Sequence, residues 1–418
     1  ISISSILLNI AIIVLSAPSL LNTEDLSWTV YSNSFLSFIN LSFKLDTLSA
    51  FFVVLISFIS IIATIYSIKY SEEYKTNYST SSLACFSAIF SLSMIGVVCA
   101  DHVFSFLICW ELMSLSSYLM VIYDHKERNN VNAGFIYFIM THIATAFLLV
   151  AFLVLSQQNS DLSFTALSTN ALHLDVQTTL IVFIMFLLGA GIKMGMVPFH
   201  FWLPIAHPAA PSHISALMSG IMVKTPIYLL IRVVFSFLHP EAYMGYSILS
   251  FGIISGLLGI LYALKENDIK KLLAYSTIEN IGIILIGLGL SVAFLTIGNT
   301  PIASLALMAT LFHIMNHAIY KSALFLGAGS IVSQCHTRNM NKLGGLIHLM
   351  PKTALAFLIA CLSIAAMPLF NGFISEWLLY QTVIRGMQLN ETTLDFILPI
   401  TLMFIAMIAG FAFVAFTK

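Results

Sequence analysis

Charge is what this sequence has least of. Of 418 residues, 17 are Lys or Arg and 18 are Asp or Glu, a charged share of 8%, against about 25% in soluble domains. A net charge of −1 with no basic cluster leaves no electrostatic footprint for nucleic acid. Cysteine is scarce as well. Cys85, Cys99, Cys109, Cys335 and Cys361 are scattered without CxxC spacing, which argues against a disulfide framework or a sulfur-held metal. No cluster spacing and no nucleotide loop is present, so no redox cofactor is expected on this chain. The first segment has neither a basic n-region nor an obvious cleavage site, so it does not read as a signal peptide. Ten-residue stretches of alternating polarity are missing too, which excludes a transmembrane β-barrel.

Hydrophobic residues make up 59% of the chain and the mean hydropathy is +0.98. Apolar runs long enough to cross a hydrocarbon core of roughly 30 Å recur from end to end. Twelve are expected, at about 1–22, 47–68, 80–99, 102–123, 132–155, 178–198, 213–236, 243–264, 271–291, 302–331, 352–384 and 397–418. The fold class is therefore an all-α polytopic membrane protein, with 1–418 a single transmembrane domain. The chain begins with Ile and stops at Lys418 inside an apolar run, so a fragment of a longer protein is expected.

Basic residues alternate between loops. Lys69 and Lys75, Lys126 and Arg128, Lys265, Lys270 and Lys271, and Arg338, Lys342 and Lys352 fall on one side of the twelve-segment count, together with the loop 199–212. The other side has only Lys44 and Arg385. By the positive-inside rule the basic side is cytoplasmic, and both visible ends lie on it.

Two segments carry breakers. Pro198 follows Lys193 in IKMGMVPFHFWLP, and Pro368 lies in MPLFNGF just before Glu376. Proline removes a helix hydrogen bond, and carbonyls freed at membrane depth need protein or water partners, so such breaks line cavities. Paired breaks beside charges are the pattern of inverted-repeat transporters.

Several ionisable groups sit near the middle of apolar segments. An Asp, Lys or Arg there costs roughly 2.5–3.5 kcal/mol on insertion scales, so such groups face one another, water or a transported ion. Glu111 lies nine residues into its segment, and Lys193 is the natural partner for it: moving a carboxylate near a buried amine loads or unloads the amine. A static ion pair is the bland alternative. Lys224, with Pro226 just after it, is about 11 residues from either end of its segment, roughly 16 Å, too far to snorkel easily. Glu279 and Asn280 place a carboxylate beside an amide. His313, His317 and Lys321 recur at i, i+4 and i+8 on one helix face, where a proton path suits the mixture better than zinc, since HIMNH lacks the Glu of HExxH. His142 could bridge groups or be satisfied locally. His200, His207 and His213 lie in the expected cytoplasmic loop HFWLPIAHPAAPSH, where interfacial placement is favoured over metal binding. No metal site is expected.

WELMSLSSY (110–118), GIKMGMVPFHFWLP (191–204), HPAAPSHISALMSGIMVK (207–224), LYALKENDIKKLLAYSTIENIGIILIGLG (261–289), LFHIMNHAIYKSALFLGAGS (311–330) and PLFNGFISEW (368–377) resemble the antiporter-like proton-conducting membrane subunits of complex I, Mrp antiporters and group 4 hydrogenases. The branch they most resemble is that of hydrogenase-4 and formate hydrogenlyase. The resemblance covers nearly the whole chain. It implies a fourteen-helix core with two inverted five-helix repeats, here 80–236 and 243–418, each with one broken helix. It also implies that the first family helix and a C-terminal part lie outside this sequence.

By motif, Glu111 matches the glutamate of the fifth family helix and Lys193 the lysine of the broken seventh. Lys224 matches the central relay position of the eighth, His317 with His313 and Lys321 the polar stretch of the eleventh, and Glu376 the terminal charge of the broken twelfth. Ser219 stands where the complex I pattern has His. His142 has no strong motif support.

The reading that follows is a proton-translocating subunit of a membrane-bound [NiFe]-hydrogenase complex in a bacterial or archaeal cytoplasmic membrane. Partner subunits would carry the NiFe centre and Fe–S clusters. Protons would pass from Glu111 and Lys193 by Lys224, Glu279 and His317 toward Glu376. An Mrp-type or complex I subunit and a non-pumping hydrogenase anchor are the rivals.

Overall fold

The computed structural model describes residues 1–32, 39–157, 161–389 and 392–417. In chain order the elements are α1 (Ser2–Leu20), β1 (Leu26–Ser32), β2 (Asn40–Leu45), α2 (Thr47–Tyr70), α3 (Thr80–Cys99), α4 (Val103–Val121), α5 (Arg128–Leu155), α6 (Phe164–Ala171), α7 (Val176–Met194), α8 (Leu203–Ala209), α9 (Ser212–Gly220), α10 (Thr225–Arg232), α11 (Ala242–Lys265), α12 (Ile269–Thr296), α13 (Thr300–Cys335), the single turn α14 (Leu346–Leu349), α15 (Pro351–Ile364), α16 (Asn371–Gly386) and α17 (Thr392–Thr417). Helix starts follow local chemistry. Asp46 accepts from the Ser49 amide and Asp268 from the Lys270 amide, both at 2.9 Å, satisfying first-turn donors.

Eleven spans are long and apolar enough to cross a membrane among the described residues. They cover eleven of the twelve expected segments, and the remaining one, 352–384, divides into α15 and α16. That division is the break expected at Pro368, but three departures matter. An antiparallel hairpin pairs β1 with β2 before the second span. Residues 199–209, expected as a loop, form a 3₁₀ turn and α8, and belong to the span 176–209. The seventh segment, expected as one helix, is interrupted: α9 ends at Gly220, a 3₁₀ turn covers Met222–Lys224, and α10 follows.

The chain folds as two compact units. One comprises Ile1–Met194 and Ala209–His239, the other Gly195–Pro208 and Pro240–Lys418. The expected break at Pro198 is thus where the chain leaves the first unit. In the second unit Val197 N donates to Ser255 Oγ at 3.0 Å and Arg338 Nη1 to the Pro208 carbonyl at 3.1 Å. Two spans are buried on nearly every face: all of the apolar window of 212–237 and 94% of that of 269–296. Lys224 and Glu279 lie on these, each 1% exposed, so neither reaches lipid or bulk water.

Helices α11 and α12 approach until backbone touches backbone. A Cβ on Gly282 would lie 2.2 Å from Gly256 N and 2.5 Å from its Cα. Small residues at such crossings let helices meet closely in a membrane, and this one sets the position of Glu279 and Asn280. Gly282→Ala is expected to destabilise the fold by about 1–3 kcal/mol through overpacking, read as a lower melting temperature in detergent. Gly344→Ala, where a Cβ would meet nothing within 4 Å, should leave it unchanged, and equal melting of the two variants would contradict this packing.

Candidate functional site

In the first unit the break ends α7 directly after a buried lysine. Gly195, at φ +79°, takes the left-handed conformation that commonly closes a helix. The last carbonyls of α7 have no intrahelical donor, and the negative end of its dipole falls beside Lys193. Lys193 is fully buried. Its Nζ donates to Ser114 Oγ at 2.7 Å and to Tyr137 Oη at 3.4 Å. It also lies over the rings of Tyr137 and Trp110, 5.3 and 5.7 Å from their centroids. A cation over two aromatic faces is held by their quadrupoles where water is excluded.

Glu111 is not in that cage. Its expected pairing with Lys193 is replaced by contacts to α5: Thr145 Oγ1 donates to Glu111 Oε1, and His142 Nε2 lies 3.4 Å from Glu111 Oε2. His142 Nδ1 is 2.9 Å from the Phe138 carbonyl. A carbonyl only accepts, so Nδ1 carries hydrogen and Nε2 faces the acid. Lys193 meets α4 one turn further on, at Ser114. The Glu111 and His142 side chains are 37% and 45% exposed, so this pair lies on the flank of the chain. His142, with only local satisfaction or a bridging role expected, is the partner of Glu111. Phe138, His142 and Thr145 at i, i+4 and i+7 were the available signal.

Lys224 sits at the unexpected interruption. Its Nζ donates to the Ser219 carbonyl at 2.5 Å, in the last turn of α9. Pro226 cannot donate to the Met222 carbonyl, which Thr225 Oγ1 reaches at 2.8 Å instead. His213 is buried in α9 and faces the Tyr70 ring at 5.7 Å. His207 is buried in α8, in the second unit, near Trp202 and Phe325. Both are buried helix residues rather than members of a loop. His200 lies beside the Tyr262 ring.

In the second unit one member of the expected face of α13, His313, meets Asn280. Asn280 Nδ2 donates to the Ser276 carbonyl at 2.8 Å and lies 3.4 Å from Glu279 Oε2. Its Oδ1 therefore points at α13, where it accepts from Tyr320 Oη at 2.6 Å and faces His313 Nε2 at 3.1 Å. That geometry puts a hydrogen on His313 Nε2. His313 Nδ1 is 3.0 Å from Ser375 Oγ, which is also 2.9 Å from the Gly372 carbonyl. The Ser375 hydroxyl has one hydrogen. With neutral His313 it points at Nδ1, and with imidazolium it turns to Gly372. Proton occupancy of His313 is thus written into a hydroxyl at the start of α16.

Lys321 Nζ donates to Ser276 Oγ at 2.5 Å, and the His313 and His317 rings lie nearly parallel, 6.4 Å apart. Glu376 follows Ser375 on α16 and is 4% exposed. The break before it, with Ala366 and Leu369 at positive φ, is tied to α13 by Asn371 Nδ2 donating to Asn316 Oδ1 and Asn316 Nδ2 to the Asn371 carbonyl. Among the described residues no group of three or more His, Cys, Asp or Glu is placed to hold a metal.

Residues 100–403 match the family described as NADH:quinone oxidoreductase/Mrp antiporter, TM, and residues 31–78 match the N-terminal region of complex I chain 5. Hydrogenase-4 component B of Escherichia coli is 40% identical over 384 residues, 91% of this chain and 56% of that protein. A putative antiporter subunit, mnhA2, of Staphylococcus aureus is 36% identical over 91% of this chain and 48% of its own length. This chain thus spans about half the length of these relatives. Two solved assemblies contain chains of the same fold, each at TM-score 0.84. They are the Mrp complex of Dietzia sp. (20% identity, 99% of this chain and 73% of that one) and an archaeal membrane-bound sulfane sulfur reductase (19%, 100% and 81%). By the extent of the family match, this chain is an integral membrane member of the NADH:quinone oxidoreductase/Mrp antiporter family.

Proposed function

We propose that the chain translocates protons as a membrane subunit of a [NiFe]-hydrogenase complex of the hydrogenase-4 or formate hydrogenlyase type. The observation that carries translocation is Lys193: a fully buried amine at the mid-membrane end of a broken helix, held by a hydroxyl and two aromatic rings rather than by a neutralising carboxylate. Such a group can exchange a proton without breaking an ion pair. The choice of complex rests on the 40% identity to hydrogenase-4 component B. The 36% identity to mnhA2 favours an Mrp-type antiporter subunit as the second reading.

In the first unit, charge at Glu111, shared with His142, biases Lys193 through low-dielectric packing, and Lys224 is the next amine. In the second unit, Lys321, Glu279, Asn280, His313 and Ser375 form the relay toward Glu376, with His317 beside it. Residues 80–236 and 243–418 are the two inverted repeats. Other membrane subunits cover the flank that exposes Glu111 and His142, since ionisable groups facing lipid are costly. Soluble partners supply the NiFe centre and Fe–S clusters. The basic loops face the cytoplasm.

Glu111→Gln and Lys193→Ala, in complexes that assemble normally, are expected to lose most proton translocation in sealed vesicles driven by the complex's own redox reaction. Wild-type translocation in both would sink the assignment. Purification of the tagged chain should bring [NiFe]-hydrogenase subunits, and Mrp subunits in their place would select the second reading. Ser375→Ala is expected to slow translocation about tenfold or more by removing a positioned proton carrier, and Ser375→Thr to restore it. Equal rates for Ala and wild type would remove the hydroxyl from the path.

A further inference from the structure

A second charged cluster lies in the first unit, at the end of its helices opposite Lys69, Lys75 and Lys126. Arg232, at the end of α10, places Nη2 2.5 Å from both carboxylate oxygens of Asp46 and 3.1 Å from Ser49 Oγ. Arg232 Nε donates to Tyr228 Oη at 3.0 Å, and Tyr228 Oη lies 3.1 Å from Ser49 Oγ. A pair that only joined α2 to α10 would need no space around it. Here a cavity of about 190 Å³ is lined by these four residues together with Asp101 and Lys44. At about 30 Å³ per liquid water, it holds several.

Asp101 sits between α3 and α4 with its backbone pinned: its amide donates to the Ser42 carbonyl and its carbonyl accepts from the Phe164 amide. No hydrogen bond or ion pair holds its carboxylate among the described residues. Burial raises its pKa above the ordinary aspartate value, with the Lys44 charge opposing.

Lys224, Tyr228 and Arg232 recur at i, i+4 and i+8, so one face of the span leads from the buried amine to the cavity. Lys224 and Tyr228 are both 1% exposed, and their backbone positions are four residues apart, a helical rise of about 6 Å. Lys224 Nζ turns back to the Ser219 carbonyl while Tyr228 Oη faces Arg232 and Ser49, so a file of internal waters, not a single one, would join amine to hydroxyl.

We propose that this cavity is an aqueous proton port of the first unit, with Tyr228 and Ser49 passing protons between Lys224 and Asp101. Each hydroxyl accepts one proton and releases its own, so neither accumulates charge. Asp101 takes up the proton as a carboxyl and returns to carboxylate when it gives it to water; the reverse order loads Lys224. The Asp46 oxygens are occupied by the guanidinium. A dehydrated metal cation, which needs several oxygen ligands, finds only Asp101 and hydroxyls beside a fixed positive charge. The port therefore serves protons.

The port rests on the reading of Lys224 as a relay group, and the test separates the two. In the assembled complex in sealed vesicles, Tyr228→Phe and Asp101→Asn are each expected to lower redox-driven proton translocation about tenfold or more, with redox turnover and subunit content retained. Ser49→Cys, in a chain whose exposed Cys85 is replaced by Ser, is expected to react with an anionic methanethiosulfonate only from the face opposite the basic loops. Wild-type translocation in Lys224→Met would overturn the relay reading, and the port with it. Loss in Lys224→Met beside wild-type rates in Tyr228→Phe and Asp101→Asn would overturn the port alone. No labelling of Ser49→Cys, or labelling from the basic face, would overturn it as well.

Discussion

A helix that stops inside a membrane leaves its last carbonyls without intrahelical donors, and in lipid those carbonyls must be answered from within the protein. The two buried lysines of the first unit obey that condition. Lys193 is the penultimate residue of α7, and Lys224 reaches back to the Ser219 carbonyl at the end of α9. Each amine sits at the negative end of a helix, where a cation is favoured. Lys193 can therefore be kept in apolar surroundings with a hydroxyl and two aromatic rings as its close contacts. Lys321 lies mid-helix in α13 and has no helix end to use. It takes a neutral hydroxyl, Ser276 Oγ, from the neighbouring helix instead.

The second unit solves its polar burial differently. Its inner groups form a continuous set of hydrogen bonds whose directions are determined by counting hydrogens. The Ser276 carbonyl orients the Asn280 amide, the amide orients His313, and His313 with Gly372 leaves Ser375 two settings. In a low-dielectric interior such a network is strong when complete and costly when one member is missing. The tight glycine crossing of α11 and α12 and the Asn316–Asn371 pair hold that network in register.

Much of this was legible in the sequence. Spans follow from apolar length, and both proline breaks stand where Pro198 and Pro368 place them. Lys193, Lys224, Glu279, Lys321 and Glu376 have buried side chains as their insertion cost demands, with Glu111 on the flank. The third interruption was hidden because proline is also a good helix starter: Pro226 opens α10 rather than ending α9. Residues 199–212 read as a loop through their prolines and histidines, yet Pro204 lies in the first turn of α8 and Pro208 inside the helix near its end. Glu111 illustrates a deeper limit. Periodicity gives the face of a helix but not which neighbour meets that face, so a plausible Glu111–Lys193 pair yields to His142 once α4 and α5 are packed.

The residue types along both units also bear on which ion the proposed path would carry. Lys193, Lys224 and Lys321 are primary amines, and Ser114, Tyr137, Tyr228, Ser276 and Ser375 offer single hydroxyls. A proton can be held by an amine as a covalent N–H and handed on by a hydroxyl that exchanges one O–H for another. A sodium ion can do neither: it needs several oxygens arranged around it at once, and a protonated lysine repels it. Glu111 and Asp46 already face His142 and Arg232, which spends their oxygens on other donors. The proposed path, punctuated by buried amines, would therefore suit an ion that travels as a bond, and breaks that expose helix ends to those amines would make it tolerable in a membrane.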